Sequence, residues 1–360
     1  MRLLYLYPEE WHGHRAREVH TLSTCVALAR RGADITLVIA GNLREAREHL
    51  RDIAGGEEIP GLQFVVLTRG IGPIRSAAIF AKLFRFWFQR QPPFQAGYVI
   101  HLKAAAILKR AHLPYLYEAH EIFAETPRQT AAQQESLHAM ERDALMGATW
   151  RVATSKLLFV ALRAHYTLPN DFFIVPNAGR PPQPQSVFSA DGPFVYAGSI
   201  ADWKGLELVI AASRAAGVPL KIIGGTAEEW QQLRKAMPAE HVAWQPRVSL
   251  VELPRALAGS RAGLISTRPD SPSGRYSCPM KLFDYAGCGL PVLTTALHSL
   301  ESLNAGSWCA RVEAPTVEAW TEALRNFRPS AVLAETARAW AGAHTWAQRA
   351  DKLVQVLGDK

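Results

Sequence analysis

The chain has 360 residues, too many for one ordinary hydrophobic core and enough for two α/β domains. Hydrophobic residues make up 48% and charged residues 20% of it, a globular balance, and no apolar run reaches the roughly 18 residues that a membrane span requires. A net charge of +8 favours an anionic partner, a description that nucleic acid, acidic lipid and nucleotide all satisfy. The four cysteines, Cys25, Cys278, Cys288 and Cys309, have no paired metal spacing, and their scatter suits a reducing cytoplasm better than a disulfide framework. The N-terminal RLLYLYP is too short and too strand-like for a secretory signal, so a cytoplasmic location is expected.

Apolar strands alternate with helical patterns, which predicts parallel sheets. RLLYLYP is a first strand, a helix is expected from about Arg15 to Arg31 with a stop at Gly32, and DITLVIA is the second strand. The loop PEEWHGHR then lies at the carboxyl end of the first strand, where open α/β sheets bind ligands; Gly13, between His12 and His14, is its only glycine. After the strand LQFVVLT, residues 74–90 read as a helix with Arg75, Lys82, Arg85 and Gln89 on one narrow face. Ile79, Phe80, Leu83, Phe84, Phe86, Trp87 and Phe88 cover nearly all the rest. Such a helix suits an anionic membrane surface, or equally a core with one solvated edge.

The strand AGYVIHL and helix AAAILKRAH lead to PYLYEAHEIF, whose strand ends at Glu118 and leaves His120 and Glu121 at the carboxyl edge of the sheet. A helix from about Pro127 to Gly147, the strand TWRVATS, the helix KLLFVALRAHY and the strand FFIVPNAG complete a first domain, residues 1–176. GRPPQPQSVFSADGP is rich in Pro, Gly and Ser and reads as the interdomain linker. A second domain, residues 190–340, opens with the strand, turn and helix of FVYAGSIADWKGLELVIAA. VPLKIIGG is its next strand, where Gly224 and Gly225 let the backbone approach a ligand closely. From Pro315 onward the chain is helical.

Residues 268–295, RPDSPSGRYSCPMKLFDYAGCGLPVLTT, read as a loop, a helix and a buried strand. Pro279 suits the first helical turn because it has no N–H to leave unpaired, and Gly287, Gly289 and Pro291 stop the helix. A helix start at the end of a polar loop offers free N–H groups and the positive end of a dipole, which favour a phosphate. Lys281 adds a full charge, and Asp284, one turn on, is placed to accept two hydrogen bonds from a sugar diol. Phosphate at the helix start and a diol one turn along outline a nucleotide.

The run CPMKLFDYAGCGLPVL resembles the nucleotide-sugar motif of the GT-B retaining glycosyltransferases in the large bacterial family 4 (glycosyl transferases group 1), where the helix reads S/N-P-x-K-L-x-E-Y-x-A-x-G-x-P-V. It is closest to a subgroup with R-Y ahead of the P-x-K turn. The fold class implied is α/β, with two Rossmann-like doubly wound parallel-sheet domains facing a cleft and the last helix, within 341–360, crossing back to the first domain. Asp284 takes the position that binds the donor ribose. Pro279, Met280 and Lys281 stand at the phosphate-binding helix start, and Tyr276 occupies the place where many members carry a Glu against the transferred sugar. YAGSIADWKG resembles Y-x-G-R-x-x-x-x-K-G, so Lys204 matches the diphosphate-binding lysine and Gly198 the turn glycine. Ser199 replaces the usual arginine; the candidates for that second cation are Lys281, Arg275 and, further away in sequence, Arg268, and Lys281 is favoured because the helix fixes its place relative to Asp284. Gly225 belongs to the same donor site, the main chain at Arg247 and Val248 is expected to read the base, and the loop at Gly13 is expected to line the site. YEAHE resembles Y-E-x-H-E/D, whose His, here His120, lies beside the donor sugar.

The function implied is transfer of a sugar, with retention, from a nucleoside-diphosphate sugar to a hydroxyl of a small molecule or of a lipid-linked or envelope glycan, in the cytoplasm or at the inner face of the cell membrane. Lys204, His120 and Lys281 are the expected catalytic residues. No metal, no other cofactor and no nucleic acid are expected. An epimerase or phosphorylase on the same fold, and a non-catalytic binding protein, are the rival classes.

Overall fold

The computed structural model describes residues 1–13, 15–71, 74–126, 129–169 and 171–358, so His14, Pro127 and the final two residues, which the sequence reading touches, lie outside the described residues. The chain divides into two compact units: residues 1–176 with 346–360, and residues 177–345.

The first unit is built on a seven-stranded parallel sheet. Its strands are β1 (Arg2–Glu10), β2 (Asp34–Ala40), β3 (Leu62–Leu67), β6 (Ala96–Val99), β7 (Tyr115–Ala119), β8 (Trp150–Ala153) and β9 (Phe172–Ile174), in the order β3-β2-β1-β6-β7-β8-β9. A small antiparallel pair, β4 (Gly70–Ile71) and β5 (Ile74–Arg75), lies outside that sheet. Strands such as LLYLY are buried on both faces, which is why they read as continuous apolar runs without alternation. The last helix, Trp346–Gly358, packs on the helix Ala16–Arg30 and adds Ala350, Leu353, Val356 and Leu357 to this core.

The second unit holds a six-stranded parallel sheet of β10 (Phe194–Ala197), β11 (Leu220–Ile223), β12 (Val242–Gln245), β13 (Ala262–Ile265), β14 (Val292–Thr295) and β15 (Cys309–Val312), in the order β12-β11-β10-β13-β14-β15. In both sheets the strand order reverses beside the first strand, at β1/β6 and at β10/β13. Strands part there and a crevice opens at their carboxyl ends.

Some boundaries differ from the sequence reading. Strand β1 runs on through Pro8, Glu9 and Glu10 by way of an irregular register after Tyr7, so the loop starts only at Trp11, whose side chain is buried. The aromatic helix spans Ala77–Phe88 with Ser76 as its cap, and Ile74 and Arg75 are a strand instead. Thr130, in a capping box with Gln133, starts the next long helix at Ala131 rather than at Pro127. The polar loop before the nucleotide motif contains a one-turn helix, Pro272–Tyr276, capped by Ser271. The Pro-rich stretch read as a linker is tied into the second unit: Gln183 and Val187 donate backbone hydrogen bonds to Gly287 and Cys288, at 2.8 and 2.9 Å. Among the described residues no helix is long and apolar enough to cross a membrane.

Candidate donor site and the buried histidine cluster

In the second unit, the motif helix spans Met280–Gly287, Pro279 stands just before it, and no side chain caps its start. Its entry is pinned by two distant residues: Asn177 Nδ2 donates to the carbonyl of Cys278 at 2.5 Å, and Ser299 Oγ to that of Ser277 at 2.7 Å. Further along, Tyr285 lies beneath the split between β10 and β13. A Cβ at Gly263 would sit 2.4 Å from its ring, and its hydroxyl accepts the N–H of Ala197 at 2.7 Å. That bond satisfies a backbone donor left over where the two strands diverge.

This framework brings Lys281 against the turn after β10. Its ammonium lies 3.7 Å from the centre of the Tyr196 ring, and a Cβ at Gly198 would be only 2.6 Å from Nζ, so glycine is required there for the lysine to approach. Nζ is buried and has no hydrogen-bond partner among the described residues. Burial, reinforced by the charge of Lys204, holds Lys281 well below the usual lysine range against the pull of Asp284. Lys204 rests on Trp203, 3.5 Å from the ring centre, and burial brings it down to about 7. Asp284 is pushed up to about 6 by burial, opposed by the charges of Arg180 and Lys281.

Two cations, Arg180 and Lys281, therefore act on the Asp284 carboxylate, with Lys204 in turn beside Lys281, and among the described residues Lys281 Nζ and Arg180 Nε are buried without a hydrogen-bond partner. An unpartnered buried ammonium costs several kcal/mol of desolvation unless a counter-ion arrives. The arrangement calls for an anion with hydroxyls nearby, which is what a nucleoside diphosphate offers.

The other expected donor residues are placed as follows. Ser199 is exposed, and its carbonyl accepts from Tyr196 Oη at 2.8 Å. Gly225 has φ +70°, and a Cβ there would strike Ile200 at 2.7 Å, just beyond the Gly198 turn. Arg247 is exposed, whereas Val248 packs against the core around Leu282. Met280 is half-buried at the helix start, and Tyr276 is buried, with Arg275 5.9 Å from its ring centre. Arg268, a weaker sequence candidate for the second cation, is tied to Glu207. Gly13 belongs to the first unit, where it has φ +70° beside His49. Sequence reasoning missed Arg180, because it sits in the stretch read as linker, and Tyr196, which looks like an ordinary strand residue.

In the first unit, Glu118 is fully buried at the end of β7. One carboxylate oxygen, Oε1, accepts from Arg349 at 2.5 Å and lies 3.0 Å from His20 Nε2 and 2.9 Å from His120 Nε2; the other accepts from the Tyr98 hydroxyl. Burial alone would raise the Glu118 carboxyl, but Arg349, His20 and His120 carry it well below the usual carboxylate range. Burial lowers His20 to about 4, so its ring is neutral at pH 7. The ligand atoms of His20, Glu118 and His120 lie within 4.8 Å of one another, close enough for a metal ion, yet any such ion would meet the fixed positive charge of Arg349 on the same oxygen. His20 and Arg349 escaped the sequence reading because a helix start and a last helix carry no motif.

Comparison with known proteins agrees with this architecture. Residues 206–355 match the family described as glycosyl transferase-like. The whole chain is similar to sucrose-phosphate synthase from Thermosynechococcus elongatus, with TM-score 0.79, 14% identity and coverage of 99% of this chain and 98% of that one. Anabaena HepE in complex with UDP and glucose gives TM-score 0.73 at 14% identity, with 100% of both chains covered. The fold is GT-B. WaaG, a glycosyltransferase involved in lipopolysaccharide biosynthesis, gives 0.65 at 15% identity, again over 100% of both chains. No curated protein matches the chain.

Proposed function

We propose that the protein is a glycosyltransferase that takes a sugar from a nucleoside-diphosphate donor to an acceptor hydroxyl with retention of configuration. The buried, unpartnered ammonium of Lys281 beside Lys204 carries this reading. In it, the diphosphate lies between the two lysines and the uncapped start of the helix Met280–Gly287, and Asp284 accepts from the ribose hydroxyls. As the bond from the anomeric carbon to the diphosphate oxygen breaks, negative charge gathers on the leaving group and the lysines and helix dipole offset it. Trp203 and Tyr196 shield the lysines from water, which strengthens that interaction. No metal is assigned a role: the cations of this site are side chains. His120 is assigned to a sugar hydroxyl. The acceptor is a glycan, lipid-linked or small-molecule hydroxyl, and the reaction is placed in the cytoplasm.

The proposal is tested by calorimetry with a panel of nucleoside diphosphates and by release of free nucleoside diphosphate from their sugars. Release only in the presence of an acceptor is expected; conversion of the donor sugar without acceptor would instead indicate an epimerase. Lys281→Ala and Lys204→Ala are expected to lower turnover on the order of a hundredfold while weakening donor binding less, because their charges act chiefly on the transition state. Asp284→Asn is expected to weaken nucleotide binding by about 1.5–3 kcal/mol for each charge-assisted hydrogen bond lost. Unchanged affinity would remove Asp284 as the ribose ligand.

A further inference from the structure

The chain ends on a helix that carries a fully buried arginine. Arg349 donates through Nε to the carbonyl of Pro176 at 3.0 Å, through Nη1 to Thr24 at 3.2 Å and through Nη2 to Glu118 at 2.5 Å. None of this is needed to bury the apolar face of the helix, which Ala350, Leu353, Val356 and Leu357 already fill. A buried charge pair is a costly way to hold a helix, and apolar residues of similar volume often hold one as well or better. The location of the pair gives it another use.

Glu118 Oε1, the oxygen that Arg349 holds, faces His120 Nε2 at 2.9 Å. Nε2 is buried and meets Glu118 as a close charge contact outside regular hydrogen-bond geometry, while the His120 side chain as a whole is 21% exposed, so its accessible part lies away from Glu118. His20, its ring centre 4.5 Å from that of His120 and the two planes nearly perpendicular, closes the inner side. Tyr98 holds the second oxygen of Glu118, so the carboxylate cannot turn away from the histidines.

We propose that Arg349 is a positioning residue for His120, acting through Glu118. This rests on the reading of His120 as a residue that meets the sugar. The guanidinium fixes the position and charge of Glu118, and Glu118 fixes the buried edge of the His120 ring, so that the opposite edge is presented in one orientation. Without Arg349, an unbalanced buried carboxylate would draw the ring inward or admit water.

Four forms of the full chain test this: wild type, Arg349→Met, His120→Ala and the double variant, with Arg349→Lys as the rescue. Arg349→Met is expected to lower kcat by on the order of ten- to a hundredfold and to leave the Kd for nucleoside diphosphate unchanged, because the nucleotide residues lie in the other unit. Arg349→Met should have no further effect on kcat when His120 is already Ala, whereas a merely structural role would lower kcat equally in both backgrounds. The ring resonances of His120, followed by NMR, should move in Arg349→Met and return toward wild type in Arg349→Lys. If Arg349→Met fails to fold, Glu118→Gln replaces it in the same cycle, since Arg349 then keeps its bonds to Pro176 and Thr24. Unmoved ring resonances, or equal losses in both backgrounds, overturn the proposal. Moved resonances with full activity in His120→Ala would sustain the positioning and refute the role of His120 in the reaction.

Discussion

Burial brings Lys204 down to about 7 and pushes Asp284 up to about 6, against the charges of Arg180 and Lys281 in the case of Asp284, and the two together make a pH prediction. A diphosphate needs the ammonium charged, and a diol is gripped best by an ionised carboxylate. Nucleotide affinity is therefore expected to peak between pH 6 and pH 7. It should fall below that window as Asp284 gains a proton, and above it as Lys204 loses one. Above pH 7, binding should also take up a proton, because the arriving phosphate restores the charged lysine. Calorimetry in buffers of different ionisation enthalpy measures both effects. Lys204→Arg should weaken the alkaline limb, since a guanidinium stays charged throughout, and leave only the part due to Lys281, which burial also depresses. An affinity that is flat from pH 6 to pH 9 would mean that Lys204 does not touch the phosphates.

Among the elements, the helix Ala77–Phe88 was the most ambiguous in sequence, and its packing now divides its aromatic residues. Phe80 and Phe84 are buried, Trp87 and Phe88 are half-buried in a ring cluster with Phe94, and Phe86 is 60% exposed. Lys82 and Arg85 are exposed on the same helix, and Arg90 lies 3.4 Å over the Phe86 ring. Most of the apolar surface thus serves the core, and what remains outside is one aromatic ring among basic side chains. That surface is still suited to an anionic membrane, at about 1 kcal/mol per basic residue. Lys82→Glu combined with Arg85→Glu is expected to abolish flotation with vesicles rich in acidic lipid; equal flotation of the variant and wild type would discard this helix as an anchor. The uneven legibility of the chain has the same physical origin. Parallel strands bury both faces, so their apolar runs show in sequence, and Gly32 and Gly289 mark helix ends with local chemistry, whereas the Ser76 cap passed unread. Contacts between distant residues leave no local trace. Nothing near Tyr285 signals that its hydroxyl will satisfy Ala197 across 88 positions, and nothing near Arg349 signals Glu118 across 231. The motif helix was legible because its lysine and acid lie within one turn. Arg180 and His20, which complete the two clusters, were not.

At the scale of the molecule, the two units carry buried titratable groups of opposite acid response. In the first unit, burial lowers His20 to about 4 and His101 to about 3 from an ordinary 6.5. A histidine whose folded value is depressed contributes stability that is fully present above its unfolded value and is lost as pH falls toward the folded one. For His20 alone that amounts to about 3 kcal/mol, released between pH 6.5 and pH 4. Glu118, held well below the carboxylate range, adds a loss of the same sign at lower pH still. In the second unit, Asp284 is raised from 3.8 to about 6, so its burial is unfavourable at neutral pH and that penalty is relieved as pH falls through 6. Lys204, at about 7, is already protonated across this range and changes nothing, whereas Lys281, held well below the usual lysine range, adds a loss of the same sign as His20 wherever it gains its proton. Two depressed histidines and Glu118 in the first unit outnumber Lys281 in the second, with Glu141, raised by burial, a partial offset in the first. The first unit is therefore expected to open before the second on acidification, although the growing positive charge strains both. Hydrogen exchange read by mass spectrometry at pH 7 and pH 4.5 would show it as early loss of protection in β1, β6 and β7 while β10 and β13 stay protected. His20→Gln should bring the first unit's response closer to that of the second. Simultaneous loss in both units, or loss in the second unit first, would show that His20 and His101 do not set the acid limit of the fold.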